Sequence, residues 1–206
     1  MIAFFIFLFL LLMIFVKKPI SYDTILLLMN VLKKEGKKAL MKKENIVLTG
    51  MPASGKSTVG VILAKILGMD YIDTDLVIQK REGAKLSEII EKEGTEGFLK
   101  AEEQAILSVD VHNTVIATGG SVIYSNRAME HLSDCSKIVY LKVGKEEILK
   151  RLKDISERGV VLRPGESVED MYDSRSVLYE QYADITVFED GFTIEDTVRA
   201  VRQAFS

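Results

Sequence analysis

An octapeptide near the first quarter of the chain, Gly50-Met-Pro-Ala-Ser-Gly55-Lys56-Ser57, constrains the fold more than any other feature. It has the form G-x-x-x-x-G-K-[ST] and it is flanked in the way that pattern requires. Before it lies a short β-branched run, Asn45–Thr49; after it Val59, Ile62, Leu63, Ile66 and Leu67 recur at helical spacing. Strand, glycine loop and helix together make a phosphate cradle. The glycines let backbone N–H groups turn inward around phosphate oxygens, and the helix N-terminus adds partial positive charge. Lys56 is placed to reach the β and γ phosphates and the Ser57 hydroxyl to meet Mg²⁺. Gly50, Ser54, Gly55, Lys56, Ser57 and Thr58 are therefore the candidate nucleotide-binding residues.

Downstream of this loop, short strands are expected at 71–72, 115–118, 137–141 and 184–188, separated by helical stretches. Five strands alternating with helices imply an α/β domain with a parallel sheet covered on both faces. The last helix carries Ile194, Val198, Val201 and Phe205 on one stripe, a core face. One domain accounts for residues 41–206. The charge balance, 27 Lys+Arg against 30 Asp+Glu, provides no basic field for a nucleic-acid backbone, so no nucleic-acid partner is expected. Cys135 is the only cysteine, which excludes an internal disulfide and a cysteine-built zinc site. His112 and His131 lack ligand-spaced neighbours.

Three further segments carry chemistry. Asp73-Thr-Asp75 ends the second strand, at the sheet edge where α/β proteins bind ligands. One carboxylate can hold a metal through water, the other an acceptor hydroxyl whose proton it takes; a turn with Asp75 capping the next helix is the competing reading. Thr118-Gly119-Gly120-Ser121 ends the third strand, where paired glycines admit a ligand close to the backbone or simply turn the chain. Residues 157–169 form a Gly/Pro-punctuated loop with Arg158 and Arg163, a candidate lid whose cation closes over a transferring phosphoryl group, or else a solvated surface loop. No Asn-Lys-x-Asp guanine element and no Leu-Ser-Gly-Gly-Gln transporter element is present, which leaves a small kinase.

The phosphate loop, Asp73-Thr-Asp75, the Gly-Gly turn, the arginine-bearing lid and Arg175-Ser-Val-Leu-Tyr179 followed by Ala183-Asp184 together resemble the shikimate kinase family. The resemblance covers nearly all of 41–206. It implies a P-loop fold of nucleoside-monophosphate-kinase type and ATP- and Mg²⁺-dependent phosphorylation of the 3-hydroxyl of shikimate, a step toward aromatic amino acids. By the same resemblance, Ser57 and Asp73 serve the metal and Asp75, Gly119, Gly120 and Arg175 hold the substrate. Lys56, Asp75 and a lid arginine, Arg158 in preference to Arg163, serve catalysis, with Arg163 on the nucleotide.

Three positions depart from the family pattern. Its Phe-Arg-x-x-Glu is here Phe98-Leu99-Lys100-Ala101-Glu102, so Leu99 stands where an arginine pairs with the substrate carboxylate. Lys100 is one residue on, rotated about 100° around the helix, and cannot make a bidentate clamp. Ser121 replaces a third glycine, and Val177 replaces a proline. An acceptor other than shikimate is the alternative these changes raise.

Residues 1–40 differ in kind. The first sixteen are all apolar, just short of the ~17 to 25 residues of a membrane span, with Lys17 and Lys18 beyond them. Up to residue 43, eight lysines oppose Asp23 and Glu35, a charge of +6, against 19 basic and 28 acidic residues thereafter. Either this extension tethers a cytoplasmic, monomeric enzyme to the inner face of a membrane, or translation starts at Met41. A membrane-tethered ATP-binding module without transferase activity is the reading of another class.

Overall fold

A computed structural model describes residues 45–153, 160–163 and 165–205. The expectations for residues 1–40, and for Arg158 in the lid, lie outside the described residues. Strand β1 (Asn45–Thr49) is buried at every position, which is why it reads as a continuous apolar run rather than an alternation. Helix α1 (Lys56–Leu67) follows the glycine loop and ends on Gly68 in the left-handed conformation. Next come β2 (Asp70–Asp73), α2 (Thr74–Glu82) and α3 (Leu86–Leu107), the last kinked at Gly94, whose φ is 69°. Strand β3 (Thr114–Ala117) leads through a 3₁₀ turn (Val122–Tyr124) to α4 (Asn126–Cys135) and β4 (Ser136–Lys142). Helices α5 (Lys145–Lys153) and α6 (Val168–Tyr182), strand β5 (Ile185–Phe188) and α7 (Ile194–Gln203) complete the order.

All five strands are parallel, in the spatial order β2-β3-β1-β4-β5. The expected strands are all present, their ends displaced by at most one residue. The chain fills one side of β1 with β3 and β2 and the other with β4 and β5, so the carboxyl end of β1 is the switch point where ligands bind. Two apolar clusters cover the two sheet faces. Val47, Ile116, Ile138, Met129, Leu132 and Tyr179 form one; Leu48, Val59, Leu63, Val115, Leu141 and Val198 form the other. A third, built on Ile78, Ile89 and Phe98, joins α2 to α3.

Two helix faces are narrower than their periodicity suggests. Ile66, on the flank of the α1 face, is 50% exposed, and in the last stripe only Val198 and Val201 are core, with Ile194 and Phe205 at the exposed ends. Among the described residues no helix is long and apolar enough to cross a membrane.

Candidate active site

The loop after β1 is shaped by backbone conformations that few residues adopt. Gly50 has φ 149°, and a side chain there would meet the Leu141 carbonyl at 2.7 Å. Gly55, φ 92°, is the N-cap of α1 and brings no side chain to cap it. The first N–H groups of α1 are thus free of a side-chain acceptor, and a phosphate is the partner they suit. Lys56 is buried and donates from Nζ to the carbonyls of Gly50 (2.9 Å) and Met51 (2.7 Å), with Ser54 Oγ at 3.3 Å. Burial pulls its pKa down to about 8 against the opposing pull of Asp75.

Asp73 and Asp75 divide their work differently from the sequence reading. The helix cap is Asp73, whose Oδ1 accepts the Asp75 N–H at 3.0 Å; α2 begins at Thr74 and Asp75 lies inside its first turn. Freed from capping, the Asp75 carboxylate faces a cavity of about 180 Å³ together with Lys56, Ser57, Thr58, Gly119, Gly120 and Arg175. Burial, then the charge of Asp73, raise its pKa to about 6, and Lys56 opposes them. The Tyr71 hydroxyl sits 3.2 Å from both the Ser57 carbonyl and Asp73 Oδ2, tying the start of α1 to the end of β2.

The Gly-Gly turn forms the floor. Gly119 N–H donates to Thr74 Oγ1 at 3.1 Å; a side chain at Gly119 would collide with Glu102 Oε1 and meet Asp75 Oδ1 at 3.0 Å. At Gly120 it would strike Pro52 at 2.9 Å and Arg175 Nη1 at 3.2 Å. Only glycine leaves this floor open. Arg175, 1% exposed, is oriented by donation from Nε to Tyr124 Oη (3.2 Å) and from Nη2 to the Val161 carbonyl (2.5 Å), with its guanidinium 5.1 Å from the Tyr124 ring centre. Tyr179, near Arg175 on α6, donates from its hydroxyl to the Gly120 carbonyl.

The described part of the lid segment lies against this cavity: Val160 and Val161 line it, and the Leu162 carbonyl accepts from Thr95. Arg163 stacks 4.5 Å from the Tyr124 ring centre, outside the cavity lining, so it does not join Lys56 and Ser57 here.

Four residues escaped the sequence reading as site residues. Glu102 was seen only as the end of a motif; it is 2% exposed, and burial raises its pKa to about 7 despite the hydrogen bond from Ser121. Tyr71 falls in an expected strand, and Tyr124 lies outside every segment singled out from the sequence. Arg151, in the charged helix α5, donates from Nη1 to the Ala53 carbonyl in the phosphate loop at 3.1 Å and from Nε to Glu147 at 2.9 Å. With Glu189, Asp190, Gly191 and Phe192, Arg151 lines a second cleft of about 600 Å³ adjoining that loop. Leu99 is half-buried beside Ile78 and Phe98, while Lys100 is exposed.

This arrangement has counterparts among known proteins. The sequence profile of the family described as shikimate kinase matches residues 52–205. The shikimate kinase of Histophilus somni is 38% identical over 155 residues, 73% of this chain and 89% of that protein. That of Thermodesulfovibrio yellowstonii is 36% identical over 161 residues, 77% and 92% of the two chains. Among solved structures, the shikimate kinase of Acinetobacter baumannii in complex with shikimate superposes with a TM-score of 0.72 at 31% identity, covering 82% of this chain and 96% of that one. The enzyme from Aquifex aeolicus gives 0.69, also at 31% identity. The phosphate loop, the parallel sheet and the cavity between Lys56 and Arg175 thus sit in a chain that matches these kinases over most of their length, and the chain belongs to the shikimate kinase family.

Proposed function

We propose that this protein transfers the γ-phosphoryl group of ATP to the 3-hydroxyl of shikimate, giving shikimate 3-phosphate and ADP. One observation carries the reading: a single cavity is lined by Lys56 and Ser57 of the phosphate loop, by the Asp75 carboxylate and by the Arg175 guanidinium. These groups suit a polyphosphate, a hydroxyl and a carboxylate respectively. Arg175 takes the substrate carboxylate, for which a guanidinium held by Tyr124 and Val161 is preorganised. Gly119 and Gly120 let the ring lie against backbone. Asp75 accepts the proton of the attacking hydroxyl as its oxygen bonds to the γ-phosphorus; the bridging bond to ADP breaks and Lys56 stabilises the charge. A carboxyl of pKa about 6 is ionised at neutral pH yet basic enough to take that proton.

Nucleotide phosphates lie on the loop Gly50, Ser54, Gly55, Lys56, Ser57 and Thr58, and the base extends into the cleft of Arg151 and the half-exposed Phe192. Among the described residues no group of three or more His, Cys, Asp or Glu side chains is disposed to hold a metal. That fits Mg²⁺, which binds through substrate phosphates, water and one or two protein oxygens. The Tyr71 hydroxyl, 3.2 Å from both the Ser57 backbone carbonyl and Asp73 Oδ2, supports assigning the ion to Ser57 and Asp73, where it would supply charge neutralisation on the phosphates. A lid arginine completes the cation set, Arg158 being the candidate. The kinase domain is assigned to 41–206, with 1–40 an extension to it.

Coupled ADP release tests this assignment. Saturable turnover that requires shikimate is expected; a rate with shikimate no greater than ATP hydrolysis without it refutes the assignment.

A further inference from the structure

Glu102 enters the acceptor cavity with an unusual balance of partners. Its Oε2 accepts the Ser121 hydroxyl at 2.7 Å, while Oε1 is buried with no hydrogen-bond partner. That free oxygen and Asp75 Oδ1 both lie within about 3 Å of the point where a side chain at Gly119 would begin. Both carboxylates thus flank the open floor that Gly119 leaves in the acceptor cavity. Behind Glu102 and Ser121, on the side of α3, a second cavity of about 230 Å³ is lined by Leu99, Lys100, Tyr124 and these same two residues. Position 99 therefore lines the same second cavity as the Glu102–Ser121 pair, and the side chain there is apolar. The cations that act on Glu102 are Arg175 of α6 and Lys56 of α1, against Asp75 of α2. Both have other partners: Lys56 the loop carbonyls, Arg175 Tyr124 and Val161.

We propose that Ser121 is a positioning residue for the acceptor substrate: its hydroxyl fixes the Glu102 carboxylate in the cavity, in place of a cation that position 99 does not supply. Leu99 and Ser121 are then one coupled adaptation rather than two separate losses. A glycine at 121 would leave Glu102 without a neutral donor, and an arginine at 99, entering through the second cavity, would make the serine dispensable. The inference rests on the shikimate kinase reading for its kinetic test and on geometry alone for its spectroscopic one.

The experiment compares wild type, S121A, L99R and L99R/S121A. Loss of one hydrogen bond to a buried carboxylate predicts that S121A raises the shikimate KM about 10-fold or more. With Asp75 and Lys56 untouched, kcat is to stay within about 3-fold and the ATP KM unchanged. In the L99R background the same substitution is to cost less than about 3-fold. Independently of any substrate, the ¹³C titration of the Glu102 carboxyl is to move to higher pH in S121A, because burial remains and a stabilising donor is gone. An unchanged shikimate KM in S121A, an equal rise in both backgrounds, or an unmoved titration overturns the proposal. Should L99R fail to fold, the split between shikimate and ATP KM in S121A and the titration decide. If wild type does not turn over shikimate, the substrate assignment falls, and the titration still judges Ser121.

Discussion

At the level of single residues, the site is governed by charges taken out of water. Asp75 at about 6 and Lys56 at about 8 bracket neutrality from opposite sides. The free enzyme should therefore give a bell-shaped pH dependence of kcat/KM, rising through about pH 6 as Asp75 ionises and falling above about pH 8 as Lys56 loses its proton. Asp75→Asn should remove the acidic limb and lower kcat by about 10²-fold or more, read from the same profiles. Glu102 bears on stability instead. Its carboxyl has an ordinary value of 4.5 and a folded value of about 7. Between those pH values the native state holds a proton the unfolded chain has released, so stability falls as pH rises through the window. Glu102→Gln should raise the melting temperature at pH 8 by about 3 °C or more and leave it nearly unchanged at pH 4.5, as thermal unfolding would register. Sequence alone could not single out Glu102. In Ala101-Glu102-Glu103-Gln104 it has the same local signature as its neighbour, and only the packing of α3 onto the Gly-Gly turn buries one carboxylate and leaves the next at a surface contact with Arg127.

Among the elements, the ones with a chemical signature were legible and the ones that act through tertiary contact were not. The turn into α1 announces itself because an inward-facing row of N–H groups demands Gly50 and Gly55 at fixed spacing. Asp73-Thr-Asp75 was equally visible, though which aspartate caps the helix depends on whether α2 starts at Thr74 or two residues later, at Leu76. Nothing in the local sequence of helix α5 marks Arg151, yet from that helix it reaches the phosphate loop. Tyr71 similarly reads as a strand residue and acts as a tie. Tyr71→Phe removes the hydroxyl shared by Ser57 and Asp73 while keeping the ring under Gly60. It should raise the Mg²⁺ concentration needed for half-maximal rate by about 10-fold with the shikimate KM unchanged, which an assay at varied free Mg²⁺ would measure.

Across the whole molecule, one sheet edge joins two halves of unequal clarity. The nucleotide half follows from β1, its loop and α1, a continuous stretch of chain whose geometry is local. The acceptor half is assembled from α2, α3, the Gly-Gly turn, the segment 160–163 and α6, and its departures at 99, 121 and 177 are meaningful only once those elements meet. Val177 illustrates the point: it is 66% exposed, outside the acceptor cavity, and has no visible effect on it. Ser121 lines that cavity, and with Leu99 it also lines the second cavity beside α3. Function rests on transfer within the one cavity that Lys56, Asp75 and Arg175 line together. Its most direct test is ³¹P NMR of the full chain with MgATP and shikimate. A new phosphomonoester resonance should grow in step with ADP and be absent with Lys56→Ala; ADP with only inorganic phosphate beside it would contradict the account.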